Sequence, residues 1–176
     1  MILRILKSNR AVNYFFIPLI GGLFWLKSFF HPRHYSFGGE KTDGLLYMPL
    51  VRNIGDAAVI QIALTLVLVI IMAFFIQQIN NRYNIIRIRT MLPAPLFLIM
   101  VGGFTEMHRL HPVYIATFFL LMAVYRLFNA FDQVKSYSSV FDTGLLLGMG
   151  TLFYGNMFVI LSALLVGLYV LAREGR

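Results

Sequence analysis

From Ile60 to Ile76 the only polar side chains are Gln61 and Thr65. With its flanks this run reaches the roughly 20 apolar residues that a helix needs to cross a hydrocarbon layer about 30 Å thick. The rest of the chain agrees. Only 12% of the residues are charged and 59% are hydrophobic, whereas a water-soluble domain carries about a quarter charged residues. So little polar surface cannot cover a soluble globule, and the expected fold class is all-α, a polytopic transmembrane helix bundle.

Six spans are expected in a single domain over residues 1–176, at about 11–26, 54–79, 91–104, 113–126, 140–154 and 157–172. Pro93 and Pro95 fall in the first turn of the third span, where amide hydrogens lack helical partners anyway. Val140 to Ala172 would make roughly 50 Å of helix, more than one crossing uses. A break is therefore expected at Gly155-Asn156, with one tilted helix or a re-entrant pair as the other readings. Arg126 is expected to cap the fourth span. Residues Met1 to Arg10 read as a retained anchor, since no small-residue cleavage site follows the first span.

Between the first two spans, 27–53 is too polar to enter lipid in its first half. Its second half holds Leu45, Leu46, Tyr47, Met48, Leu50 and Val51 and is expected as a short helix lying in the membrane interface. Gly21-Gly22, and the set Gly144, Gly148 and Gly150, mark places where helices can approach closely.

The 15 lysines and arginines are spread between spans, so the net charge of +8 reads as topology and nucleic acid is not an expected partner. Arg4, Lys7, Arg10, Arg82, Arg87, Arg89, Arg126, Lys135, Arg173 and Arg176 fall on one side; Lys27, Arg33, Lys41, Arg52 and Arg109 fall on the other. The richer side is cytoplasmic, which puts both termini inside and the expected location in a bacterial inner membrane. The absence of cysteine excludes disulfides, thiolate metal sites and cysteine nucleophiles.

This topology gathers His31, His34, His108 and His111 on the outer side with Glu40, Asp43, Asp56 and Glu106. Two His-x-x-His pairs near carboxylates have the nitrogen and oxygen donors of a divalent metal site. Ordinary loop histidines are the alternative, since Pro32 and Pro112 oppose regular helices there. The acids can converge as a base or hold a cation against a phosphate leaving group, or they simply offset Lys41, Arg52 and Arg109. Arg52 and Arg109 are also the expected lipid-phosphate contacts. Asp142 and Arg126 lie where their charged ends reach water and need no function beyond headgroup contact.

The stretches Leu3 to Arg10, Leu46-Tyr47-Met48-Pro49-Leu50, Asn84 to Pro93 and Phe141 to Tyr154 together resemble an uncharacterised family of bacterial multi-spanning inner-membrane proteins. More distantly, the acids after spans one and three, the Tyr125-Arg126 span end and the Gly-Leu-Leu-Leu-Gly helix resemble GT-C-type glycosyltransferases that use polyprenyl-phosphate sugars. That resemblance implies a base in the first outer loop, matched by Asp43 or Glu40, with Glu106 as the acid of the second loop. The expected function is thus sugar transfer from a lipid carrier at the outer face, by this chain or as part of a larger enzyme. A non-catalytic subunit or scaffold, with a protein partner or as a homo-oligomer, is the alternative. Third comes a small-solute transporter, against which the lack of repeats and of mid-span charge counts.

Overall fold

The computed structural model describes residues 14–32, 44–54, 57–86, 90–131, 137–160, 162–163 and 166. Among these residues there are helices and no strand, as the all-α expectation requires. In chain order they are α1 (Phe16–Phe30), α2 (Tyr47–Ile54), α3 (Ala58–Tyr83), α4 (Pro93–Gly102), α5 (Pro112–Phe131) and α6 (Tyr137–Phe153). Tight 3-10 turns occupy Thr105–His108 and Gly155–Met157.

Local chemistry explains most of the boundaries. α4 and α5 each open on a proline, whose missing amide hydrogen costs nothing in a first turn. α3 stops where Asn84 takes φ 48°, a left-handed cap that asparagine tolerates. α1 runs past Leu26 to Phe30 and keeps Lys27 in its last turn, where a cation meets the negative end of the helix dipole. α5 likewise continues beyond Arg126 to Phe131, so Arg126 lies inside the helix and does not cap it. The apolar tract after Val140 breaks at Gly155–Met157, where expected, and is helical again at 158–160.

Among the described residues two helices are long and apolar enough to cross a membrane: α3, and α5 over Pro112–Asn129. The 26 residues of α3 extend roughly 39 Å, longer than a hydrocarbon core of about 30 Å. α1, α4 and α6 are apolar but shorter; the 10 residues of α4 reach only about 15 Å. Apolar residues ring α1, α3 and α4 with little sidedness, whereas α2 is strongly two-sided. Ringed helices of this kind belong in a large core or in lipid.

On α3, Ile60, Leu64, Val67 and Ile71 recur at helical spacing and are all exposed, while Gln61, Thr65, Gln77 and Asn80 are buried together with Ile62, Val69, Met72, Ala73 and Ile79. The helix therefore exposes an aliphatic stripe and buries a mixed face that includes polar groups. The Thr65 hydroxyl bonds the Gln61 carbonyl at 2.8 Å, so it needs no solvent partner.

The chain divides into two compact units. In the first, α1, α3 and α4 pack pairwise, and the Thr105–His108 turn rests against all three. Gly21 lets α3 come close, since a Cβ there would stand 3.3 Å from Ile70 Cγ1; Gly22 has open space on that side.

The second unit contains α2, most of α5, α6 and the Gly155–Met157 turn. Its core is Ala116, Ala123, Leu147 and Met157, with Leu120, Leu146 and Tyr154 packed on it. The expected glycine stripe divides: Gly150 packs on Met157, whereas Gly144 and Gly148 meet nothing within 4 Å. Amides of Gly44 and Leu46 donate to the Phe153 and Leu152 carbonyls, each at 3.0 Å, which satisfies acceptors that the end of α6 leaves unpaired. On α2, Tyr47 is buried and Met48, Leu50 and Arg52 are exposed.

Candidate functional site

Where α1 and α4 end, the first unit holds a cavity of about 360 Å³ lined by Lys27, Ser28, His31, Ile62, Thr105, His108 and Arg109. Three of these belong to the end of α1 or the residue after it, and three to the segment that follows α4. That segment is held in place by local bonds. The Met107 amide donates to the Phe104 carbonyl at 3.0 Å, and the Tyr114 hydroxyl donates to the Met107 carbonyl at 2.6 Å.

His108 organises the wall. Its ring is 2% exposed and stacks on Trp25 with centroids 4.0 Å apart and planes 23° apart. Nε2 lies 3.0 Å from the Gly102 carbonyl oxygen. A carbonyl can only accept, so Nε2 carries the hydrogen, and in the neutral ring Nδ1 is left with a lone pair. The Ser28 hydroxyl, 2.5 Å away, donates to it. Burial pushes the His108 pKa below its ordinary value, partly opposed by the bond to Gly102. Burial thus favours the neutral ring, the form in which Nδ1 can accept from Ser28.

Gly102 makes this geometry possible. A Cβ there would lie 2.8 Å from Phe24 Cβ and 3.0 Å from Trp25 Cζ3. Only the missing side chain lets the end of α4 come close enough to α1 for its carbonyl to meet His108.

Of the histidines named from the sequence, His31 and His108 share the cavity. His111 instead caps α5, its Nδ1 accepting the Val113 amide at 3.3 Å. Among the described residues no group of three or more His, Asp or Glu could hold a metal ion, and both ring nitrogens of His108 are committed. His34, Glu40, Asp43 and Asp56 lie outside the described residues. Glu106 is exposed on the turn beside the cavity, Arg109 lines the cavity, and Arg52 is exposed in the second unit.

Sequence reasoning missed Ser28 and Thr105, and it counted Lys27 only as a topological charge. A lone hydroxyl in an apolar helix has no spacing to betray it. Also missed was a buried polar cluster at the far end of α3. There Gln77 Nε2 donates to the Thr90 carbonyl at 2.9 Å and to Asn81 Oδ1 at 3.0 Å, and Asn81 Nδ2 donates to the Tyr14 hydroxyl at 3.0 Å. The run Gln77 to Tyr83 looks in sequence like a span emerging into water; in the fold it ties α3 to the segments beside it.

Chemically, the cavity offers two cations, Lys27 and Arg109, the titratable His31, and two hydroxyls over an aliphatic floor at Ile62. Such a set suits an anionic group attached to something apolar. No family model, curated protein or solved structure matches the chain.

Proposed function

We propose that this chain is a multi-pass protein of a bacterial inner membrane that holds the phosphate of a lipid-linked sugar in the cavity beside Lys27 and Arg109. Sugar transfer in the manner of a GT-C-type enzyme, by this chain or with a partner, is the activity. The observation that carries the membrane part is α3, with Gln61 and Thr65 buried and Ile60, Leu64, Val67 and Ile71 turned outward. Lipid is the solvent for which that distribution is favourable. Three further spans of the six-span topology are then the short helices α1, α4 and α6 with their flanks, which tilt or local thinning accommodates, and the sixth, 157–172, lies largely outside the described residues.

For the site, the support is that Lys27, His31 and Arg109 line one cavity and Glu106 sits on the adjoining turn. In this reading cations neutralise the phosphate as it leaves, while Glu106 or one of Glu40 and Asp43 takes the proton of the attacking hydroxyl. The electron pair of the broken sugar–oxygen bond stays on the phosphate.

Two experiments test it. The chain has no cysteine, so a single cysteine placed at Thr105 should react with an impermeant maleimide added outside intact cells. Sugar transfer from a polyprenyl-phosphate donor in proteoliposomes should be lost in Glu106→Ala or Asp43→Ala with insertion unchanged. Labelling only after the membrane is opened would reverse the topology, and full transfer by both variants would remove the enzymatic reading.

A further inference from the structure

Ser28 stands on the cavity wall with its Oγ 2.5 Å from His108 Nδ1. We propose that Ser28 is a nucleophile and His108 its general base, and that the cavity cleaves a carboxylic ester of a phosphate-bearing lipid. This activity is separate from sugar transfer and does not rest on it.

The geometry supplies the parts that nucleophilic catalysis needs. The nucleophile and base are 2.5 Å apart. A third group, the Gly102 carbonyl, holds the opposite ring nitrogen at 3.0 Å, fixing the tautomer that leaves Nδ1 free to receive a proton. Trp25 stacks on the ring and prevents it from turning away. Ser28 is only half-buried and lines the cavity, so an ester can reach it. Lys27, one residue before Ser28, lines the same wall and is placed to attract an anionic headgroup. Ile62 gives the cavity an aliphatic wall that an acyl chain would meet.

Ser28 Oγ bonds to the ester carbonyl carbon while His108 Nδ1 takes the hydroxyl proton. The bond from that carbon to the lipid alkoxide then breaks, and His108 returns the proton to the departing oxygen. Water repeats the sequence on the acyl-serine: its oxygen bonds to the carbonyl carbon, its proton passes through His108 to Ser28, and a fatty acid leaves. One ester and one water become one alcohol and one acid.

The test uses the full chain in lipid nanodiscs and a phosphonyl fluoride probe, which forms a bond from serine oxygen to phosphorus with loss of fluoride. Peptide mass spectrometry should place the adduct on Ser28. Ser28→Ala should abolish it, and His108→Gln, which keeps a donor for Gly102 but no base for Ser28, should slow it by roughly a hundredfold. Wild-type protein should also release free fatty acid from phosphatidylglycerol vesicles, and Ser28→Ala should not. A pair that merely pins α1 to the following turn would leave Ser28 inert. No adduct on wild-type protein with a normal thermal midpoint overturns the proposal whatever the His108 variant does, and so does labelling without fatty-acid release. Neither readout involves a sugar donor, so loss of the transferase reading leaves this result interpretable.

Discussion

The carbonyl of Gly102 accepts the Nε2 hydrogen of His108 at 3.0 Å, and it can do so only because residue 102 has no side chain to strike Phe24 and Trp25. Packing of two helices and the tautomer of one histidine thus depend on the same missing methyl group.

Gly102→Ala should therefore destabilise the first unit by about 1–3 kcal/mol, the usual cost of forcing volume into a packed contact. Gly22→Ala is the control. A Cβ there meets nothing within 4 Å, and relief of glycine's helix penalty should raise stability by roughly 0.5–1 kcal/mol. Thermal midpoints in one detergent compare the two.

Stability should fall in acid. The His108 pKa is lower in the folded chain than its ordinary value of 6.5, with burial as the main cause. Well above pH 6.5 both folded and unfolded forms are neutral and the group contributes no pH dependence. As pH falls below that, the unfolded chain binds a proton that the folded chain resists, so unfolding gains until the lowered folded pKa is passed. Thermal midpoints measured from pH 7.5 down to 5 should drop, and the drop should be smaller in His108→Gln.

Gly44→Ala should disrupt the second unit, because its Cβ would overlap the Leu152 carbonyl oxygen and the Phe153 backbone. Neither is the movable tip of a side chain. The Gly44 and Leu46 amides would lose the carbonyls they satisfy, each such bond contributing about 0.5–1.5 kcal/mol. Proteolysis should cut the variant near Phe153 at protease levels that the parent resists.

Arg126 and Asp142 are paired at 3.9 Å with both side chains substantially exposed. Such a pair contributes little, about 0–1 kcal/mol. Asp142→Asn should leave the thermal midpoint nearly unchanged, and any large loss would point to a role that the geometry does not show.

Legibility in the sequence followed the reach of each interaction. The helical class, the two long apolar helices α3 and α5, the break at Gly155–Met157 and the opening of α4 at Pro93 all rest on runs or neighbours, which a linear reading sees. Helix ends were harder: α1 and α5 run past Lys27 and Arg126 because long cationic side chains reach water without ending a helix. The site was read in part. His31, His108 and Arg109 do share a cavity, but pairing His108 with Ser28 links residues 80 positions apart, and no motif records that. The bonds of Gln77 and Asn80 to the Thr90 carbonyl are unread for the same reason, since only the fold brings residue 90 back against the end of α3.

A cavity beside Lys27 and Arg109 that receives the phosphate of a lipid should keep that lipid through gentle release from mild detergent, which native mass spectrometry detects. Wild-type protein should retain a phosphate-bearing lipid, and the double variant Lys27→Ala with Arg109→Ala should retain roughly tenfold less, the loss expected from removing even one charge-assisted contact. Equal retention by both, with unchanged thermal midpoints, would contradict the account.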